Sequence, residues 1–559
     1  MSPAPAHTAA ATVPAAQQDL TPRGADLLVR ALQAHGVRRI FSLSGNHIMP
    51  VYDALLETDI ALVHVRQEAA AVHMADAHAR LTGEVGVALV TGGQGLSNGA
   101  AALFTALGAE SPVLLLSGQA GIGELGRGAF QEMDQAGVAR PMTKASWMVE
   151  SAEALGADIA RAIRIAREGR PGPVHLALPV DLLELRLTGS EPAVTIEQPA
   201  ATPDAQPIAG RLAALLESAD RPLILCGPAL CTPRGRGAMA RLEAATGVPV
   251  IGMESPRGVN DPGLGAFAEL LVEADLVVLL GKALDFTLRF GAPPAVAASC
   301  RFAVVDPDPD LLARAAKAKG PLLMERMEGK AGSVLAALAA SPPAVTAARA
   351  SWLARAREVL AFLPAAWASA RAASGRIHPV ELCAAVRDFL ARHPDGTLVC
   401  DGGEIGQWPQ AIIKTQNRII NGVSGTIGAS IPFAIAARLA RPEAPVVAVM
   451  GDGTFGFHMA EFDTALRVGA PFIAVIGNDA RWNAEHQIQL RTYGAERTRY
   501  CDLLPTRYDE VVRALGGYGA LVADAANLPA ALAEAHASGL PAAINVMIEG
   551  VPAPVIRRG

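Results

Sequence analysis

The stretch Val446-Val447-Ala448-Val449-Met450-Gly451-Asp452-Gly453-Thr454 decides the fold. Its unbroken apolar run reads as a strand buried on both faces, the kind found in parallel sheets covered by helices. The run stops at Gly-Asp-Gly. A helix is expected next, from Met459 to Val468, and a second apolar strand, 472–476, then ends in Gly477-Asn478-Asp479. Two strand ends thus carry Asp452 and Asp479 at the carboxyl edge of a parallel sheet, where open α/β folds bind ligands.

The residue types suit a diphosphate and its counter-ion. Mg²⁺ takes oxygen ligands in octahedral geometry and commonly fills part of its shell with phosphate oxygens. Two carboxylates and a backbone carbonyl could complete it. The glycines let the backbone approach phosphate, and a helix N-terminus beyond Gly453 favours negative charge.

The same strand–helix alternation extends through the chain. Upstream, 39–43, 62–65, 85–91 and 113–117 read as strands, as does the run 172–179, which a proline closes, and 25–35, 49–56, 68–82 and 96–109 read as helices. In the middle, 223–226, 248–252, 276–280 and 302–305 read as strands; downstream, 397–400 and 543–548 join the two already named. A Pro/Thr/Gly/Ser-containing stretch near 188–206 and an Ala/Ser/Pro-rich run from 339 read as linkers. The expected domains are therefore 20–187, 206–340 and 376–550, after a disordered tail over 1–19. Each is a doubly wound parallel α/β unit, and internal duplication is a natural reading of three such units.

Composition narrows the function classes. The chain has 559 residues, 51% hydrophobic and 18% charged, with a formal net charge of −6. No basic run points to nucleic acid. No stretch offers about 20 uninterrupted apolar residues for a membrane span. The first 19 residues lack the marks of a signal or transit peptide, and six scattered cysteines form no CxxC pair. A cytoplasmic protein with reduced thiols is the expectation.

On the GDG and Asn478-Asp479 motifs the chain resembles the thiamine-diphosphate (ThDP) enzymes, whose fingerprint is GDG followed at similar spacing by Asn-Asn. Asp479 replaces the second Asn, keeping an oxygen ligand and adding a negative charge. The resemblance implies Mg²⁺ held by Asp452, the Asp479 side chain and the Arg481 backbone carbonyl. Gly453 and Thr454 would lie against the cofactor. Asp401-Gly402-Gly403-Glu404 is similar to the family loop over the diphosphate. Ser424-Gly425-Thr426-Ile427-Gly428 is similar to the segment holding the aminopyrimidine. There the Gly425 carbonyl accepts from the 4′-amino group, and Ile427 wedges the cofactor into a V.

The stretch from Val65 to Gly83, with Arg66-Gln67-Glu68 at its start, resembles the VRHExxAxxxAxGYAR-TG motif of the acetolactate synthase-like branch. That resemblance makes Glu68 the catalytic acid, facing N1′ of the pyrimidine. Val90-Thr91-Gly92-Gly93-Gln94-Gly95 is similar to the family's TSGPG loop, with Gln94 replacing Pro. Gln131 is similar to its active-site glutamine. Ser44-Gly45-Asn46-His47 stands where acetolactate synthases have Pro-Gly-Gly. Benzaldehyde lyase and related enzymes have a histidine at the His47 position and a tryptophan at the Trp482 position. His47 could then relay a proton to substrate oxygen.

The resemblance implies pyrimidine-binding, central and pyrophosphate-binding domains in that order, and a homodimer or homotetramer with sites at the subunit interface. The reaction implied is cleavage or formation of a C–C bond next to a carbonyl, on a 2-oxo acid or 2-hydroxy ketone. A 2-hydroxyacyl-CoA lyase or oxalyl-CoA decarboxylase-like enzyme acting on an acyl-CoA is the alternative, and a catalytically retired ThDP-binding homologue is a third. Gly281-Lys282-Ala283-Leu284-Asp285 and Val305-Asp306-Pro307-Asp308 are where some members hold FAD or ADP, and packing is the simpler reading here.

Overall fold

The computed structural model describes residues 21–187 and 204–558. The expected tail and nearly all of the first expected linker lie outside the described residues. Three parallel sheets follow one another. The first comprises β1 (Arg39–Ser42), β2 (Ala61–His64), β3 (Gly86–Val90), β4 (Val113–Gln119), β5 (Ala145–Met148) and β6 (Val174–Pro179), in the order β2-β1-β3-β4-β6-β5. The second comprises β7 (Pro222–Cys226), β8 (Val250–Gly252), β9 (Leu276–Leu280), β10 (Arg301–Asp306) and β11 (Leu323–Glu328), ordered β11-β10-β9-β7-β8. The third comprises β12 (Thr397–Cys400), β13 (Arg418–Ile420), β14 (Val446–Gly451), β15 (Ile473–Asn478), β16 (Tyr518–Val522) and β17 (Ala542–Met547), ordered β13-β12-β14-β15-β17-β16.

The first and third sheets therefore share one connectivity, and the middle sheet has another. In both six-stranded sheets the chain reverses its lateral direction between the first and third strands, β1/β3 and β12/β14. A cleft opens at the carboxyl ends of strands at such a switch point.

Two expectations are corrected. The helix after Gly-Asp-Gly starts at Asp452 itself: Asp452–His458 is followed by a separate helix, Glu461–Arg467. The run from 339 does not continue as an unstructured connection. Helix Ala331–Ala340 spans its start, and Ala347–Ala361 follows. The latter inserts Trp352 into the middle unit, where its indole N–H donates to the Pro222 carbonyl at 2.8 Å. An aromatic with one polar atom is stable there because that atom finds a partner.

The outer units pack on each other through helices Glu68–Thr82 and Ser430–Ala440. The first is rich in alanine, a strong helix former with a slim profile. Gln67 caps it, its side chain accepting from Ala69 N at 2.7 Å and Ala70 N at 3.3 Å. Residues Ala70 to Ala79 are all buried, as are Ser430 to Ala437. Helices buried along most of their length belong inside a core. One apolar cluster accordingly runs from Phe41 and Val72 of the first unit to Phe433, Met450 and Phe462 of the third.

Between the middle and third units, the buried Glu254 carboxylate accepts from Arg418 Nη2 and Arg236 Nη2, each at 2.6 Å. The two guanidinium groups outweigh burial and hold Glu254 below the usual carboxylate range. Among the described residues no helix is long and apolar enough to cross a membrane. All six cysteines are unpaired and buried.

Candidate active site

The cleft at the β12/β14 switch point is lined by Gly403, Glu404, Gly425, Ile427, Asp452, Gly453, Thr454, Asp479, Arg481 and Trp482. Ten of the expected cofactor and metal residues are thus brought together. Thr426 contributes through its backbone, its carbonyl accepting from Asn421 Nδ2 at 3.0 Å. Three strand ends build the floor. β12 runs into Asp401, which is buried and ties the two loops: its carboxylate accepts from Gly402 N at 2.7 Å, Gly428 N at 2.8 Å and the Ser430 hydroxyl. Gly403 turns at φ +77° with open space where a side chain would project. A backbone so exposed can approach a phosphate closely.

β14 delivers Asp452 and β15 delivers Asp479. Backbone N–H groups of Gly453, Ala480 and Arg481 face the Asp452 carboxyl. One of its oxygens, Oδ2, is buried without a hydrogen-bond partner. An unsatisfied buried carboxylate oxygen costs free energy unless a ligand completes it, and a cation does so. Burial pushes Asp452 up to about 6. Burial, with the Asp452 charge adding to it, pushes Asp479 up to about 7. Two neighbouring carboxyls raised in this way suit a divalent ion. Among the described residues no group of three or more His, Cys, Asp or Glu side chains is assembled for a metal. A cation at this pair would complete its shell with backbone carbonyl, water and phosphate oxygens.

Trp482 closes one wall. Its ring lies so near Gly453 that a Cβ there would stand 2.7 Å from it. The indole therefore locks the GDG turn against the segment that carries Asp479.

Glu68, His47 and Gln131 do not line this cleft. They gather instead at the carboxyl edge of the first sheet, around its own β1/β3 switch point. Glu68 opens its helix, is 8% exposed, and accepts from Asn98 Nδ2 at 3.1 Å. His47 is buried, with Nδ1 3.4 Å from the Thr91 hydroxyl, and it stacks on Phe130 at a centroid distance of 5.9 Å. Burial lowers its pKa, opposed by contacts from Phe130, Glu124 and Gln131. Burial therefore favours its neutral form. Gln131 is held at φ +57°, unusual for a residue with a side chain. Its Cβ would stand 2.8 Å from a Cβ on Gly93. Backbone held in that region points to a constrained site.

Two family models match these two regions. Residues 22–138 match the thiamine pyrophosphate enzyme N-terminal TPP binding domain, and 401–546 match the C-terminal TPP binding domain. A probable acetolactate synthase of Mycobacterium bovis is 32% identical over 535 residues, covering 94% of this chain and 95% of that protein. The chain belongs to the thiamine pyrophosphate enzymes. Human 2-hydroxyacyl-CoA lyase 2 is 31% identical over 550 residues, covering 89% of this chain and 85% of that protein. This is a ThDP-dependent enzyme of the acetolactate synthase-like family, and thiamine diphosphate is its cofactor.

In this ThDP enzyme several cleft residues escaped the sequence reading. Gln407, Trp408 and Asn421 line it, and each has a buried polar atom without a partner: Gln407 Oε1, Trp408 Nε1 and Asn421 Oδ1. No motif marks them. Arg257 reaches in from the middle unit, 3.6 Å from Glu404. A second cavity lies where the first and middle units meet, near Arg170 of the first and Lys282, Asp285 and Asp308 of the middle. There Lys282 Nζ pairs with Asp285 at 2.9 Å, and Arg170 pairs with Glu110 and Asp306.

Proposed function

We propose that this enzyme uses ThDP and Mg²⁺ to cleave or form a C–C bond next to a carbonyl, as a 2-oxo acid decarboxylase/carboligase or 2-hydroxy ketone lyase. The observation that carries the proposal is the switch-point cleft in which Asp452, with its unsatisfied oxygen, faces Asp479 between two glycine-rich loops. Asp452, Asp479 and the Arg481 carbonyl hold Mg²⁺. The Gly403–Glu404 turn, Gly453 and Thr454 would take the diphosphate, and Gly425, Thr426 and Ile427 would hold the aminopyrimidine.

When bound, the cofactor supplies a nucleophilic carbon and an electron sink for the carbanion. Glu68 holds a proton at the pyrimidine N1′. His47, its neutral form favoured by burial, moves a proton to or from the substrate oxygen, and Gln131 orients that oxygen. Trp482 excludes water from the wall beside Gly453. Because Glu68, His47 and Gln131 sit apart from the cleft of their own chain, a complete site needs a second copy. The working assembly is a homodimer or homotetramer with sites at the interface. Its buried, unpaired thiols fit a reducing compartment such as the cytoplasm.

A second reading, cleavage of a 2-hydroxyacyl thioester, is supported by the likeness to human 2-hydroxyacyl-CoA lyase 2 and by His47 and Trp482 in place of the acetolactate synthase residues. FAD or ADP in the middle unit is not required by either reading. The deciding experiment offers pyruvate, benzoin and a 2-hydroxyacyl-CoA in parallel to wild type and Glu68→Gln, with ThDP and Mg²⁺ present. Turnover of one substrate, lost in the variant, selects the branch. Cofactor binding with no turnover of any of the three would overturn both readings of the substrate.

A further inference from the structure

The turn that leads into Glu68 is gripped from the third unit. Helix Glu461–Arg467 follows directly on Asp452–His458, the helix that begins with the metal-site aspartate. Glu461 is 1% exposed. The Arg66 N–H donates to both of its carboxylate oxygens, at 3.0 and 3.2 Å. The Gln67 N–H faces the same carboxylate. The Thr464 hydroxyl donates to Oε2 at 2.6 Å and fixes the carboxylate plane.

One turn further along the helix, Arg467 Nη2 donates to the His64 carbonyl, the last residue of β2, at 2.7 Å. Asp463 stands 3.8 Å from the Arg66 guanidinium. The segment from His64 to Gln67 is therefore held at both ends by one short helix of another unit.

The chemistry makes this grip selective. Burial pushes Glu461 above the usual carboxylate range, and the Thr464 hydroxyl and the Arg66 and Gln67 N–H groups pull it back; hydrogen bonds to its ionised form are charge-assisted and stronger than neutral ones. Its targets are backbone N–H groups immediately before Glu68, at the start of a helix whose own first amides are already satisfied by Gln67. Nothing in the packing of the first unit requires an acid at 461. An apolar residue at 461 would leave the Arg66 N–H without this acceptor. What the acid adds is a fixed position for the backbone that carries the Glu68 side chain.

We infer that Glu461 is a positioning residue for Glu68: it sets the register of the Arg66–Gln67 turn and so the height at which the Glu68 carboxyl stands. This rests on the catalytic role proposed for Glu68. It also means that the segment beginning at the metal site of a chain reaches the acid carried by that same chain, which serves the neighbouring cleft in the proposed assembly. Misplacement of a catalytic group by about 1 Å can cost on the order of 100-fold in rate, so loss of this grip is expected to lower kcat by ten-fold or more, with KM within two-fold.

The test uses the full chain as wild type, Glu461→Gln, Glu461→Ala and Glu68→Gln. Glu461→Gln keeps the shape and one acceptor oxygen, so it remains informative where Glu461→Ala fails to fold. Amide hydrogen exchange in the cofactor-free protein reads the turn directly. The peptide spanning Val65–Glu68 is expected to exchange at least ten-fold faster in Glu461→Ala, with an intermediate rate in Glu461→Gln. Unchanged protection overturns the inference. Deuterium exchange at C2 of bound ThDP, with Mg²⁺ present, reads the consequence. Slow exchange in Glu68→Gln together with wild-type exchange in both Glu461 variants overturns the positioning role alone. Wild-type exchange in Glu68→Gln overturns the catalytic reading of Glu68 itself. Slow exchange in all three variants, with ThDP still bound, supports both.

Discussion

The Asp479 carboxyl stands beside that of Asp452 at the edge of the third sheet, and the Asp452 charge adds to burial in pushing Asp479 up to about 7. The folded-state value lies above the ordinary 3.8, so the stability tied to this group is present below pH ~4 and is lost as pH rises toward ~7. Metal-free protein is expected to lose thermal stability across that window. Asp479→Asn should raise the metal-free Tm at pH 8 and leave it near wild type at pH 4. The difference corresponds to roughly 2–4 kcal/mol. A Tm difference that does not change with pH would contradict the charge relationship.

Metal affinity follows the same two groups in the opposite sense. A proton and a cation compete for these carboxylates. Calorimetric titration with Mg²⁺ and ThDP should show affinity rising steeply between pH 5.5 and 7.5, through the values of about 6 and about 7. In Asp479→Asn the dependence should flatten to that of one carboxyl.

Gly453 and Trp482 form a matched pair. A Cβ at 453 would press on the indole. Gly453→Ala is expected to weaken ThDP binding at least ten-fold, and Trp482→Ala to do so less. In the double variant the alanine has room, so the two effects should fall well short of additive. Full additivity in a double-mutant cycle would show that the ring does not hold the turn.

His47 lies outside the cofactor cleft of its own chain and is stacked on Phe130. His47→Ala should lower kcat by about 100-fold, the usual scale for a lost proton-transfer group, while ThDP affinity stays within two-fold. A cofactor affinity that falls with kcat would make His47 a binding residue instead.

The Glu254 carboxylate clamps Arg236 and Arg418 across two units. Glu254→Ala leaves two buried guanidinium groups without their partner, which costs about 3–5 kcal/mol. Chemical denaturation should show the loss. A change under 1 kcal/mol would mean that water replaces the carboxylate.

Much of this architecture is legible in the sequence because central strands of a parallel sheet are nearly uniform apolar runs. β9 and β12 coincide with the residues that hydropathy marks, and so does the helix Glu68–Thr82. The strands that sequence patterning missed, β5, β11, β13 and β16, all lie at sheet edges. An edge strand pairs on one side only and keeps solvent on part of its surface. β11 shows this in its exposed Met324, Arg326 and Glu328. Its apolar signal is correspondingly weak.

The candidate site divides in the same way. Asp452 and Asp479 could be found because glycines and strand ends frame them. Gln407, Trp408, Asn421 and Glu461 could not. Gln407, Trp408 and Glu461 sit on helices and Asn421 just after β13, and the role of each depends on what another segment brings to it.

The switch points of the first and third sheets carry the proposed working residues in two places of a single polypeptide. On that reading, a chain altered at Glu68 still carries an intact proposed metal cleft, and a chain altered at Asp452 still carries an intact proposed acid. In the proposed assembly, two such defective chains would rebuild one sound centre between them. Co-expression of a Glu68→Gln chain with an Asp452→Asn chain should therefore regain part of the activity that each lacks alone, a genetic complementation within one gene.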